Sequence, residues 1–157
     1  MLTTHLIDSL SITPFIHYEH IIDLGTGGGL PGISLAILTP KKRYVLVDNT
    51  KKKVNFLKYI KNKLKLHNVL PIQKNIKKYE SKLHFHHAVT RACFSKTHYS
   101  QWYLRYLEKN NRLLSMIVKK NKAIQLEIVQ NNSKYVKLYM PISYTERYLI
   151  IIDNSVC

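Results

Sequence analysis

The sequence predicts an α/β protein whose mostly parallel sheet ends in an antiparallel pair, with helices on both faces. Three observations predict it. Short apolar runs of strand length alternate with segments of helical periodicity. Four of the five glycines crowd into Gly25–Gly29, directly after the first strand-like run and before a helical one. Two further strand-like runs close the chain.

Each element follows in order. His20–Leu24 reads as a short buried strand. Pro31 suits the first turn of a helix running to about Leu38, and Thr39-Pro40 ends it. Arg43–Asp48 is a second strand. Thr50 is the expected N-cap of the next helix, in which Val54, Leu57, Ile60, Lys61 and Leu64 keep helical spacing with lysines on the other face. His67-Asn68 closes it. Val69–Gln73 and His86–Thr90 are the third and fourth strands. His98–Lys109 is predicted helical, Arg112–Lys119 a fifth strand and Gln125–Gln130 a short helix. Tyr135–Met140 and Arg147–Ile152 form the closing antiparallel pair. Right-handed crossovers would bring the strand C-termini to one edge, where ligands of such folds bind.

The chain has 157 residues, 45% of them hydrophobic and 10% aromatic, which predicts one packed domain over 1–157 rather than disorder. No apolar run has membrane-spanning length, and the N-terminus lacks the pattern of a signal peptide. Two cysteines, Cys93 and Cys157, build no disulfide framework. A cytoplasmic protein is expected. The net charge is +16, from 25 basic and 9 acidic residues, which points to a polyanionic partner, nucleic acid first. Lysine outnumbers arginine 20 to 5, and Asn, Ile and Tyr are abundant, as codon bias in an AT-rich genome would also produce. Charge alone leaves both explanations open.

The glycine loop fits two patterns. Gly25-Thr26-Gly27-Gly28-Gly29 is the G-x-G-x-G of methyltransferases that use S-adenosylmethionine. Gly27, Gly29 and Gly32 also fit the dinucleotide fingerprint G-x-G-x-x-G. In either case Asp48, ending the next strand, can accept hydrogen bonds from both ribose hydroxyls. Asp23, at the end of the strand before the loop, favours a cationic ligand over pyrophosphate, and the closing antiparallel pair is common in methyltransferase sheets. Both features favour S-adenosylmethionine.

Other motifs carry less. His84, His86 and His87 invite a metal reading, but alternation along a strand turns His87 away from the other two. Without partner cysteines or carboxylates, they read as strand-edge histidines. Trp102, Tyr103 and Tyr106 could stack on bases; their helical spacing fits core and rim packing better. Lys51, Lys52 and Lys53 open a helix where the dipole disfavours cations. They read as a solvated run, or as one facing phosphate. Cys93 reads as a small buried residue.

"DLGTGGGLPGI" at Asp23–Ile33 and "LVDNTKKKVNFL" at Leu46–Leu57 resemble the RsmG (glucose-inhibited division protein B) family. The resemblance extends through "HLIDSL" at His5–Leu10, "KLHNV" at Lys65–Val69, "TRACFS" at Thr90–Ser95 and "ERYLIII" at Glu146–Ile152. It implies a Rossmann-like class I methyltransferase fold and S-adenosylmethionine-dependent methylation of a guanine N7 in bacterial small-subunit (16S) ribosomal RNA. The implied partner is that RNA or the assembled small subunit, with no membrane and no metal, and a monomer is expected. Carried over by position, Gly25 and Leu30 would contact the cofactor in the first loop, beside Gly27, which the glycine pattern itself places against the cofactor. Asp48 would hold the ribose, and Ile76 and Lys77 would face the adenine. Arg91 would line the transfer site, where it could position the base or a phosphate, contact the cofactor's carboxylate, or serve a structural ion pair. Three positions depart from the family pattern. Lys77 and His86 stand where acidic residues are usual, and Lys120 replaces a glycine. The family's helical extension ahead of "HLIDSL" is not expected in this chain. Guanine N7 carries a lone pair in the neutral base, so its methylation needs no general base, and no catalytic pair is predicted. Two alternatives stay beside this reading: a basic RNA-binding protein that has lost catalysis, and a nicotinamide-dependent oxidoreductase.

Overall fold

The computed structural model describes residues 2–76, 84–91, 106–117, 133–138 and 146–153. Seven strands, β1 (His20–Leu24), β2 (Arg43–Asp48), β3 (Val69–Gln73), β4 (Phe85–Arg91), β5 (Leu107–Ile117), β6 (Ser133–Leu138) and β7 (Arg147–Asp153), form one sheet in the order β3-β2-β1-β4-β5-β7-β6. The first five pair in parallel, and β7 lies antiparallel between β5 and β6. Three α-helices are described: α1 (Leu2–Leu10), α2 (Gly32–Leu38) and α3 (Lys51–Lys63).

The central strands β1, β2 and β4 are mostly buried on both faces, which favours apolar residues at successive positions. Ile21, Tyr44, Leu46, Val89, Leu114 and Leu149 turn to one face, where Ile33, Leu35 and Ala36 of α2 and Leu57 of α3 join them. Their neighbours Ile22, Val45, Val47, Ala88, Leu113 and Ile150 build a second core on the other face. The helix predicted over 125–130, and residues 98–105 of the one predicted over His98–Lys109, lie outside the described residues.

Within the described part that prediction fails at Leu107–Lys109, which are strand. Leu107 is buried and pairs with Phe85 of β4, so sheet pairing overrides the helix predicted from the spacing of Trp102, Tyr103 and Tyr106. Helix α1 carries no prediction from periodicity. Its Asp8 is buried against β7, where Asp8 Oδ2 accepts from Arg147 Nε at 3.0 Å.

The histidines separate by face. His84 is exposed ahead of β4, and His86 stacks between Tyr18 and His20 with ring centroids 5.3 and 5.5 Å away. His87 is no edge residue: it is fully buried, and its Nε2 accepts from the His17 N–H at 3.2 Å. Burial pushes its pKa down to about 4, helped by the neighbouring His17, Arg112 and Lys42. Among the described residues no group of three potential ligands could hold a metal ion.

Candidate cofactor site at the sheet edge

The C-terminal ends of β1, β2 and β4 meet at the glycine loop. The loop docks on β2 through Val47, whose carbonyl accepts from Gly25 N–H (2.9 Å) and Thr26 N–H (3.2 Å). The glycines do two different jobs. At Gly29, an added Cβ would stand 2.6 Å from Ile33 Cγ1 and 2.8 Å from Leu57 Cδ2. At Gly32 it would strike Leu46 and come within 2.7 Å of Asp23 Oδ2. These two glycines seat α2 against the sheet and α3. Gly27 differs. Its φ is +59°, while an added Cβ would meet nothing nearer than Gly25 O at 3.9 Å. The backbone needs glycine there, and the space beside it is open. Around Gly28, an added Cβ would meet nothing within 4 Å.

Two carboxylates organise this loop. Asp23 Oδ2 accepts from Thr26 Oγ1 at 2.7 Å and from Gly32 N–H at 2.9 Å, tying the loop's start to the beginning of α2. Complete burial pushes its pKa up to about 6, against the pull of those two hydrogen bonds and the Arg91 charge. The sequence reading gave Asp23 a role toward a cationic ligand. Its position adds a second role, holding the loop, which emerges only once α2 folds back onto β1.

Asp48 Oδ1 accepts from Thr50 N–H at 2.9 Å, and Oδ2 accepts from Gly27 N–H at 3.0 Å, with Lys53 Nζ 3.7 Å away. Burial pushes the carboxyl up, but the Thr50 and Gly27 hydrogen bonds and the Lys53 charge outweigh it and hold it below its ordinary value. An ionised carboxylate has about four acceptor positions, so both oxygens retain capacity for a ligand. Thr50 stands at the predicted N-cap of α3, but its side chain does not cap. Its Oγ1 donates to Asn49 Oδ1 at 3.0 Å.

The remaining predicted residues surround the same opening. Ile76, half-buried, reaches over Gly25, whose added Cβ would lie 3.4 Å from Ile76 Cδ1. The Ile76 carbonyl accepts from the Tyr106 hydroxyl, so Tyr106 packs as the sequence suggested. Leu30 is half-buried at the far end of the loop. Arg91 is exposed at the end of β4, where its charge acts on Asp23. Thr90 Oγ1 donates to Leu24 O at 3.1 Å and ties this strand end to the loop. Lys77, Cys93, Trp102, Tyr103 and Lys120 lie outside the described residues.

The sheet order, the antiparallel β7 and the glycine loop after β1 define a class I, Rossmann-like methyltransferase. An rRNA methylase of Streptococcus thermophilus superposes with a TM-score of 0.64 at 18% identity, covering 96% of this chain and 95% of that one. Magnesium protoporphyrin IX methyltransferase of Synechocystis, solved with bound S-adenosylmethionine, gives 0.71 at 11% identity, covering 96% and 80%. Sequence comparison is more specific. Residues 1–147 match the family model of rRNA small subunit methyltransferase G. The ribosomal RNA small subunit methyltransferase G of Francisella tularensis is 36% identical over 155 residues, 99% of this chain and 75% of that protein. The chain belongs to the rRNA small subunit methyltransferase G family. It is a methyltransferase of small-subunit ribosomal RNA with S-adenosylmethionine as methyl donor. Among the described residues no helix is long and apolar enough to cross a membrane.

Proposed function

We propose that this chain, acting as a single-domain cytoplasmic monomer, transfers the methyl group to N7 of one guanine in small-subunit ribosomal RNA. In this reading Gly25, Gly27, Leu30, Asp48, Ile76 and Arg91 line the cofactor site, together with Lys77 next to Ile76. The observation that carries it is the hydrogen bond joining the open Gly27 to Asp48. It places a carboxylate with spare acceptor capacity beside the one stretch of loop that has room for a ligand.

The residues fit S-adenosylmethionine. Asp48 would hold the two ribose hydroxyls, the Ile76 side chain would cover the adenine, and the open backbone at Gly27 and Gly28 would take the amino-acid end. When bound, the cofactor supplies a sulfonium methyl. The chain's task is alignment: holding the base in line and keeping water out. Asp23 and Asp48 both hold backbone N–H groups of the loop, and a nucleophile that has no proton to lose needs neither of them as a general base. Arg91, exposed at the edge, can offer its planar fork to guanine O6 and N7 or to a phosphate.

Calorimetry tests the cofactor assignment. Saturable binding of S-adenosylhomocysteine without binding of NAD is the expected result. Binding of NAD alone would overturn it.

A further inference from the structure

The proposed site leaves one long surface unused. Helix α3 runs from beside Asp48 towards the opposite edge of the sheet, about 20 Å at 1.5 Å per residue. Val54 and Leu57 face the core. The side of the helix turned farthest from them carries Lys52, Phe56, Tyr59 and Lys63, at spacings of four, three and four residues. Phe56 is 47% exposed and Tyr59 56%. Lys63 Nζ stands 5.5 Å from the Tyr59 ring centre and donates to its hydroxyl at 3.2 Å. Two bare aromatic rings, bracketed by lysines, thus occupy the outermost face of the helix.

The charge around them has one sign. No carboxylate occurs from Asn49 to Tyr79, while α3 alone holds Lys51, Lys52, Lys53, Lys58, Lys61 and Lys63. Its first turn has no acidic residue, although the helix dipole favours one there. At its other end, Lys61, Leu64 and Lys65 line a concavity of about 770 Å³ shared with Lys42, Arg43 and His67. This concavity lies at the N-terminal ends of the strands, away from the glycine loop, and is not the cofactor site.

We infer that the outer face of α3 is a binding track for unpaired RNA, with Phe56 and Tyr59 stacking on bases and the flanking lysines holding phosphates. Aromatic rings interleaved with cations are what single strands need: every base has a π-face and every linkage a charge. A duplex would offer no base faces to these rings. The track begins at Lys52, next in sequence to Lys53, which pairs with Asp48, so RNA held on α3 is led to the sheet edge where Arg91 waits. The inference rests on the proposed RNA substrate and adds the surface that receives it.

The experiment measures affinity for a single-stranded oligonucleotide of small-subunit rRNA across a salt series, with S-adenosylhomocysteine affinity measured on the same proteins. Phe56→Ala/Tyr59→Ala should weaken RNA binding about tenfold or more, leaving S-adenosylhomocysteine affinity unchanged. The swap Phe56→Tyr/Tyr59→Phe, which keeps both rings, should restore it. Lys52→Gln/Lys63→Gln should flatten the log–log salt slope by about 1.4, at roughly 0.7 per phosphate contact on a single strand. RNA affinity and salt slope unchanged in both variants would overturn the track. So would sedimentation showing that the rings instead join two copies of the chain. If wild type transfers methyl groups while these variants bind RNA normally, only the track fails. If wild type neither binds nor methylates RNA, the proposed function fails with it.

Discussion

Gly27 N–H donates to Asp48 Oδ2 across 3.0 Å, so a single hydrogen bond couples the glycine loop to the carboxylate that ends β2. On the proposed reading, loss of that carboxylate would remove the ribose acceptor and one of the loop's anchors together. Hydrogen bonds to charged groups are worth roughly 1.5–3 kcal/mol. Asp48→Ala is therefore expected to weaken S-adenosylhomocysteine binding about ten- to a hundredfold, with the fold intact. Calorimetry beside a thermal melt checks it, and a loss below about twofold would mean that Asp48 does not meet the ribose.

The two kinds of glycine predict two kinds of failure. Gly27→Val forces a branched side chain into φ +59° and fills the open space, so cofactor binding should disappear from a protein that still folds. Gly32→Ala instead drives a methyl group into Leu46 and Asp23, and such overpacking costs about 1–3 kcal/mol. Its melting temperature should fall by several degrees while the folded protein keeps most of its affinity. Interchanged outcomes would show that the division is wrong.

Asp23 makes stability depend on pH in an identifiable window. Its carboxyl ionises near 6 when folded and near 3.8 when unfolded, so the folded state holds on to the proton. The stabilisation this gives is complete below about pH 4 and is lost as pH rises towards 6. A shift of that size corresponds to about 3 kcal/mol. The stability of Asp23→Asn minus that of wild type should rise by about that amount from pH 4 to pH 7, then level off. Denaturant titrations at several pH values measure it, and a flat difference would show that Asp23 is not desolvated.

Arg91 separates base handling from cofactor handling. Arg91→Lys keeps the charge but loses the planar fork. If Arg91 positions guanine, single-turnover methyl transfer should fall by tenfold or more while S-adenosylhomocysteine affinity changes little. A parallel fall in both would place Arg91 on the cofactor instead. Wild-type behaviour in both assays would remove it from the site.

What the sequence made legible was local. The strands β1 to β3 announce themselves as mostly apolar runs with glycine or asparagine at a boundary, Gly25 after β1, Asn49 after β2 and Asn68 before β3, and Asp48 stands at the end of β2 as expected. What stayed hidden depends on contacts between distant segments. Asp8 meets Arg147 across 139 positions, and nothing in either neighbourhood marks a buried ion pair. Asp23 reads as an electrostatic residue until Gly32 N–H comes back to it. Leu107–Lys109 followed a helical rhythm because the pairing of Leu107 with Phe85, which makes them strand, is not a local signal. His87 sits in a strand-edge histidine pattern, yet the alternation that turns it from His86 sends it into the core.

The most direct test of the central claim is methyl transfer itself. Small ribosomal subunits lacking the modification are incubated with this protein and methyl-labelled S-adenosylmethionine, and their RNA is mapped by mass spectrometry. The expected result is a single 7-methylguanine in the small-subunit RNA, lost in the Asp48→Ala protein at limiting cofactor. Unmodified RNA from a protein that binds S-adenosylhomocysteine, or a methyl group on any other atom, would contradict it.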